Sequence, residues 1–432
     1  MSIERLHHTL SNLCVSGILR CLKSKMTTGV HVSYVRIADS LNLEMLRFYW
    51  AISKGVEELA QFVVHQPRRL TTAITYEEFE RVGEITGSIN AGATLLAQAR
   101  TLNPTLFVVL EPNTTVHSEP NHLVAWTLSE ALHILLSSRR LYKILNDYDW
   151  FNSKMTLLEQ ALRHNMLQDI MLTHAGRKRP TGSAIRAASK SRIPVYQKAI
   201  ETFDLLEGIE GGREEAITTC LSQTLVAELE HWQQLELATA IEASYALSTS
   251  CNIPVTLQFP IVTGRPVATV GQFEVYWQYT IPHRSREQLD ITELWSRQIA
   301  SGIGVKPSDS RADVVVCYNG NIVSIFECKY FESISSLPQA ILDASSQIVR
   351  YSRDVNPDSV PQAKALLNTN CIVVAERGSL EEKLEPQAPL ALPFDQRFIY
   401  FTDVDGLGEH SLAQWASQLL ATLATSSLIS AT

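Results

Sequence analysis

Ser310-Arg-Ala-Asp-Val-Val-Val-Cys-Tyr-Asn-Gly-Asn-Ile-Val-Ser-Ile-Phe-Glu-Cys-Lys-Tyr330 sets two β-rich runs on either side of Asn319-Gly320. That dipeptide favours a type I′ turn, so the stretch predicts a β-hairpin. Side chains alternate faces along a strand, which points Glu327 and Lys329 the same way from the end of the second strand. Asp313 stands at the start of the first strand, and antiparallel pairing brings that start beside them. Three ionisable groups therefore converge at one end of a hairpin with apolar neighbours. Hydrolysis of a phosphodiester needs hard oxygen ligands for a divalent cation, a positioned water and positive charge for the developing phosphorane. Read this way, Asp313 and Glu327 hold Mg²⁺, or Mn²⁺, with the backbone carbonyl of Cys328, while Lys329 orients or deprotonates the water. Glu-x-Lys alone is a cheap pattern. It recurs at Glu381 and Lys383 in a polar stretch, where it reads as a solvated loop.

The sequence following the hairpin is helical by spacing from about Leu337 to Arg353, with Ser336-x-x-Gln339 able to form a capping box at its start. Gln347 and Tyr351 fall one turn apart on the stripe that includes Ala340 and Ala344. Upstream, Leu225, Leu229, Trp232, Glu236, Ala240 and Ala243 share one helical face, and Glu236 interrupts it. A carboxylate in an apolar stripe is costly unless paired or facing a cation, so Glu236 is a candidate metal ligand, with Glu230 and Glu293 as competitors. An edge-of-face glutamate is the alternative.

From Ile253 onward, β-branched and aromatic runs alternate with helices: Val255–Phe259, Phe273–Tyr279, Asp313–Tyr318, Ile322–Cys328, Cys371–Glu376 and Phe398–Thr402, with a last helix after Glu409. The expectation is an α/β domain over 251–432 with a mixed central sheet and a first core helix at 225–247. Residues 116–250 read as a helical module, from apolar recurrence over Pro120–Leu172 and Pro194–Leu247. Residues 1–115 read as a small mixed α/β domain with short strands at Val30–Ile37, Gly83–Ile89 and Thr105–Leu110. Between the helical stretches, Arg177, Lys178, Arg179, Arg186, Lys190, Arg192 and Lys198 occur with no Asp or Glu among them. This basic linker, 177–198, is a candidate phosphate-contacting arm or a solvated joint. Lys306, Arg311 and Arg350 lie close enough to the hairpin or its helix in sequence to contact a nucleic-acid strand.

The net charge of −8 opposes a protein coated in nucleic acid, so any such surface must be local. Cys14, Cys21, Cys220, Cys251, Cys317, Cys328 and Cys371 show no CxxC pair and no His at zinc-ligand spacing, and read as reduced core thiols. No signal-peptide core and no stretch near ~20 uninterrupted apolar residues is present, so a cytoplasmic protein without a membrane contact is expected. GxxxxGK[ST], HExxH and GxSxG are all missing from the sequence, and Gly302-Ile-Gly304 lacks the third glycine of a dinucleotide fingerprint.

The Asp313, Glu327-x-Lys329 and Gln347-x-x-x-Tyr351 series resembles the PD-(D/E)xK nuclease superfamily, with Ala312 in place of the usual proline and the last pair like the Gln-x-x-x-Tyr element of RecB-like branches. The resemblance implies a restriction-endonuclease-like domain, with Gln347 among the catalytic residues and Tyr351 at the nucleic acid. Gly83-Glu-Ile-Thr-Gly-Ser-Ile89 with Thr94, then Glu119-Pro-Asn-His-Leu-Val-Ala-Trp126, is similar in order and spacing to McrC-like proteins, with His122 where an Arg is usual. That likeness implies the endonuclease subunit of a restriction or antiphage defence system, acting on DNA beside a separate NTPase or helicase, with a homo-oligomer possible. An inactive DNA-binding or assembly subunit, or an RNase, stays open as an alternative.

Overall fold

The computed structural model describes residues 3–24, 40–173, 178–226, 229–258, 261, 264–281, 295, 298–299, 301–302, 311–331, 336–355, 366–375 and 400–425. The expected strand Val30–Ile37, and Arg177, Glu293, Lys306, Glu381 and Lys383, lie outside them. The chain divides into two compact units, Leu46–Thr224 and Met1–Met45 with Leu225–Thr432. The N-terminal residues thus belong with the C-terminal sheet, where three consecutive domains were expected. The chain opens with α1 (Ile3–Ser24) and α2 (Ser40–Ala51), and the division falls inside α2.

In the unit 46–224, α3 (Lys54–His65) begins at Ser53, whose Oγ accepts from the Val56 N–H. β1 (Ala73–Val82), β2 (Ser88–Ile89) and β3 (Leu106–Thr115) form an antiparallel sheet in the order β1-β3-β2. The helix α4 (Ala91–Thr101) packs Ala97 against Leu106 and Val108. Most of Gly83–Ile89 is a turn rather than the expected strand, because Gly83 and Gly87 take φ of +76° and +94°. The remainder is helical: α5 (Glu119–Leu141), α6 (Asp149–Leu162), α7 (Asn165–Leu172), α8 (Gly182–Lys190), α9 (Pro194–Glu210) and α10 (Glu214–Leu221). The basic linker therefore contains a helix. Thr181 Oγ1 caps α8 by accepting from the Ala184 N–H, and Ala184 and Ala188 are buried. At the start of α5, buried Asn121 donates to the Thr71 and Val116 carbonyls at 2.8 and 2.9 Å and accepts from Tyr196 Oη at 2.6 Å. The Glu-Pro-Asn-His segment thus joins the sheet exit to the helices.

The other unit is built on a seven-stranded mixed sheet. Its helix α11 (His231–Cys251) starts later than the 225 expected, because Glu230 and Gln233 form a reciprocal capping box there. Leu225 consequently lies before the helix, and Trp232 is half exposed. The stripe that singled out Glu236 is not one continuous face. α11 is instead buried on nearly all sides from Gln234 to Ser244.

The strands β4 (Thr256–Leu257), β5 (Pro266–Val270), β6 (Phe273–Thr280), β7 (Arg311–Tyr318) and β8 (Asn321–Lys329) pair antiparallel. β9 (Cys371–Val374) and β10 (Tyr400–Asp403) then add in parallel beside β8. The predicted hairpin is the sheet's centre, and Asn319 and Gly320 turn it with φ of +49° and +78°. The chain continues with α12 (Leu337–Val355), α13 (Val404–Gly408) and α14 (Leu412–Thr425). On one face Ile325 packs with Tyr351 of α12; on the other Phe326 meets Trp415 of α14, and Cys328 Sγ donates to Thr239 of α11. Among the described residues no helix is long and apolar enough to cross a membrane. All seven cysteines are free thiols, six of them buried.

β8 is also held from β9's side. Asn370, fully buried, accepts from the Ile325 N–H and donates to Ser352 Oγ of α12, each at 2.8 Å. Asn370→Ala is expected to lower stability by about 1–3 kcal/mol in chemical denaturation, because it strands a buried N–H.

Candidate active site

The hairpin brings its three polar groups together as alternation and pairing require. Asp313 Oδ2 accepts the Cys328 N–H at 2.7 Å, tying the start of β7 to the end of β8. Lys329 Nζ donates to Glu327 Oε1 at 2.7 Å and to Gln347 Oε1 of α12. Glu236 of α11 reaches the same place from the opposite face of the sheet, close enough to Asp313 to feel its charge. The sequence-derived residues Asp313, Glu327, Lys329, Gln347 and Glu236 thus form one constellation. Glu230 is spent on the helix cap.

The electrostatics are those of carboxyls crowded out of water. Burial, then the charge of Asp313, pushes both Glu327 and Glu236 up to about 8. Burial also raises Asp313, against the opposing pull of the Cys328 N–H and the Lys329 charge. Glu242, farther along α11, is buried too, but it is paired with Arg20. By contrast, Glu236 accepts only neutral donors at Oε2, Trp277 Nε1 at 2.8 Å and Gln278 Nε2 at 2.7 Å. Glu327 Oε2 is buried and has no hydrogen-bond partner. A buried carboxylate oxygen without a donor calls for a cation or a proton.

The donor set fits a hard divalent ion. Asp313, Glu327 and Glu236 offer carboxylate oxygens, and Glu327 Oε2 is uncommitted. Among the described residues no three His, Cys, Asp or Glu side chains are gathered closely enough to hold an ion together. Glu327 Oε1 accepts from Lys329, and Asp313 Oδ2 accepts the Cys328 N–H. On the α12 side, a cleft of about 750 Å³ opens beside Lys329, lined by Tyr330, Phe331, Gln339, Asp343 and Gln347 among others. Gln339 donates to Asp343 at 2.8 Å.

Two expectations change. Tyr351 is 2% exposed and donates to the Arg311 carbonyl at 2.9 Å, so its ring belongs to the core under β7 and cannot stack on a base. The basic segment divides by use. Arg179 is committed to Glu207 and Glu210 and lies 5.8 Å from the Trp126 and Phe203 rings, while Lys198 pairs with Glu58 and Glu201. Lys178, Arg186, Lys190 and Arg192 are exposed, with Arg186 and Lys190 one turn apart on α8, and Arg311 and Arg350 are exposed beside the hairpin and on α12. Sequence reasoning missed Trp277 and Gln278, which lay inside a correctly read strand and carried no polar motif.

No protein-family model matches the chain, and no curated protein matches it. Among solved structures it is similar to a chain of a refined half-complex from a tetradecameric assembly of Thermococcus gammatolerans McrB AAA+ hexamers with bound McrC. The identity is 12% and the TM-score 0.23, covering 95% of this chain and 76% of that one. A likeness at that score carries no argument about fold or activity.

The raised carboxyls make stability depend on pH. Their folded values near 8 lie above the ordinary 4.5, so between these the folded chain binds more protons than the unfolded one, and stability falls as pH rises through that window. In EDTA the thermal midpoint should drop between about pH 5 and about pH 8, with Glu327→Gln flattening the drop.

Proposed function

We propose that this chain is a divalent-cation-dependent endonuclease of the PD-(D/E)xK type that hydrolyses DNA. In this reading it is the nuclease subunit of a restriction or antiphage defence system and works beside a separate nucleotide-driven motor. The observation that carries the reading is the unpartnered, buried Glu327 Oε2 beside Asp313 and a lysine held by two acceptors. A structural ion pair would satisfy both oxygens. The McrC-like order of the Gly83–Ile89 and Glu119–Trp126 segments supports the defence setting.

Asp313, Glu327 and Glu236, with the Cys328 carbonyl, would hold Mg²⁺ or Mn²⁺, which when bound supplies Lewis acidity and lowers the pKa of water. Glu327 and Gln347 fix the Lys329 ammonium, leaving it to orient the attacking water and to meet the charge developing on the phosphoryl oxygens. Water oxygen bonds to phosphorus, the bond to the leaving sugar oxygen breaks, and the proton released by water is returned to that oxygen. The exposed Lys178, Arg186, Lys190 and Arg192 supply sequence-independent phosphate contacts.

A second reading, a subunit that assembles on DNA without turnover, is favoured by the finding that, among the described residues, no three His, Cys, Asp or Glu side chains are gathered closely enough to hold an ion. Purified chain, with and without the product of a neighbouring gene, incubated with plasmid, linear and single-stranded DNA and with RNA in Mg²⁺, Mn²⁺ or EDTA, separates the two. Cleavage is expected only with metal, and Lys329→Ala or Asp313→Ala should reduce it by about 10²-fold or more. Wild type and Lys329→Ala behaving alike in every condition would sink the nuclease reading; cleavage of RNA alone would transfer it to an RNase.

Replacing Arg186 and Lys190 together with alanine should weaken DNA binding about equally for all sequences. The slope of log affinity against log salt should decrease by about two. Fluorescence anisotropy at several salt concentrations measures both.

A further inference from the structure

Trp277 and Gln278 are neighbours on β6, yet both side chains donate to one atom, Glu236 Oε2, at 2.8 and 2.7 Å. Consecutive residues of a regular strand face opposite sides of the sheet. Gln278 breaks that rule through its backbone, with φ of +54°, left-handed and unfavourable for a residue with a side chain. The pairing of β6 with β7 keeps one register on both sides of this point, Trp277 with Val314 and Tyr279 with Ala312. The opposition of Gln278 to Asp313 is the step absent from the ladder. Both donors are buried, Trp277 at 3% and Gln278 at 4% exposure. A left-handed, buried glutamine directly opposite a candidate ligand does nothing for the sheet that a regular strand residue would not do better.

We infer that Trp277 and Gln278 are positioning residues for Glu236. The inference rests on the nuclease reading. Two N–H donors on Oε2 hold the carboxyl in one rotamer with Oε1 left for the cation, and the kink at Gln278 brings the second donor to that face. The same kink takes the opposing step out of the β6–β7 ladder at Asp313, whose carboxylate is engaged by the Cys328 N–H. The arrangement is a buried outer layer of hydrogen bonds that orients an acid, and losing such a layer lowers metal affinity by about 10–100-fold in general.

The test uses the full chain and Mn²⁺ itself, with Gln278→Gly, which accepts the left-handed backbone without the amide, and Trp277→Phe, which keeps the ring without the N–H. Mn²⁺ affinity is read by calorimetry and electron paramagnetic resonance, and the thermal midpoint is recorded with and without metal. Both variants should fold, with metal-free midpoints within a few degrees of wild type. Each should bind Mn²⁺ about tenfold or more weakly and lose most of the metal-induced rise in midpoint. Wild-type Mn²⁺ affinity in both variants, while Asp313→Ala abolishes binding, overturns this inference and leaves the nuclease reading standing. If wild type itself binds no Mn²⁺, both fall together.

Discussion

Two buried glutamates meet a partly buried aspartate and lysine at the open end of the central hairpin, and this concentration of negative charge is the constraint around which the sheet unit is organised. Asp313, Glu327 and Glu236 come from β7, β8 and α11, and each is held by a different kind of partner. Asp313 takes a backbone N–H, Glu327 takes Lys329, and Glu236 takes two neutral side-chain donors. Burial costs a charged group several kcal/mol unless it is compensated. The carboxyls consequently sit at raised proton affinity, and one oxygen of Glu327 has no donor. A fold maximising stability alone would place apolar residues here, as it does at the adjoining Val314, Val316 and Ile325.

The elements around the constellation are arranged to hold it still. α12 provides Gln347 to the lysine, while its Tyr351 and Ile348 are packed into cores against the sheet. α11 presents Glu236 from the other side, and the helix's burial on nearly all faces keeps that carboxyl out of solvent. Asn370, beside β9, fixes β8 at Ile325, and Trp415 of α14 fixes it through Ser324 and the Thr369 carbonyl. Rigid support of this kind is what a catalytic group requires, since small misplacements of reacting atoms cost large factors in rate. The unit 46–224 has a different character, with an exposed small sheet and a helical set that carries exposed basic residues on α8.

The hairpin, its turn and the convergence of Asp313, Glu327 and Lys329 were determined by sequence alone. They depend on local rules: a period of two along strands, an Asn-Gly turn, and antiparallel pairing across it. Gln347 was legible by a different route: helical spacing placed it on one stripe with Ala340, Ala344 and Tyr351, and only the resemblance to a Gln-x-x-x-Tyr element after the Glu-x-Lys strand singled it out. Tertiary structure decided the rest. Glu230 and Glu236 are equally acidic and close in sequence, and only the start of α11 at the capping box made one a cap and the other a buried acid. Tyr351, Arg179 and Lys198 look available in sequence and are consumed by the core and by ion pairs formed with segments far away along the chain. The kink that turns Gln278 onto Glu236 has no sequence signature, because a left-handed glutamine is paid for by contacts 42 residues distant. Local periodicity reports which way a side chain points; what it meets there depends on which elements pack against it, and that is a property of the whole fold.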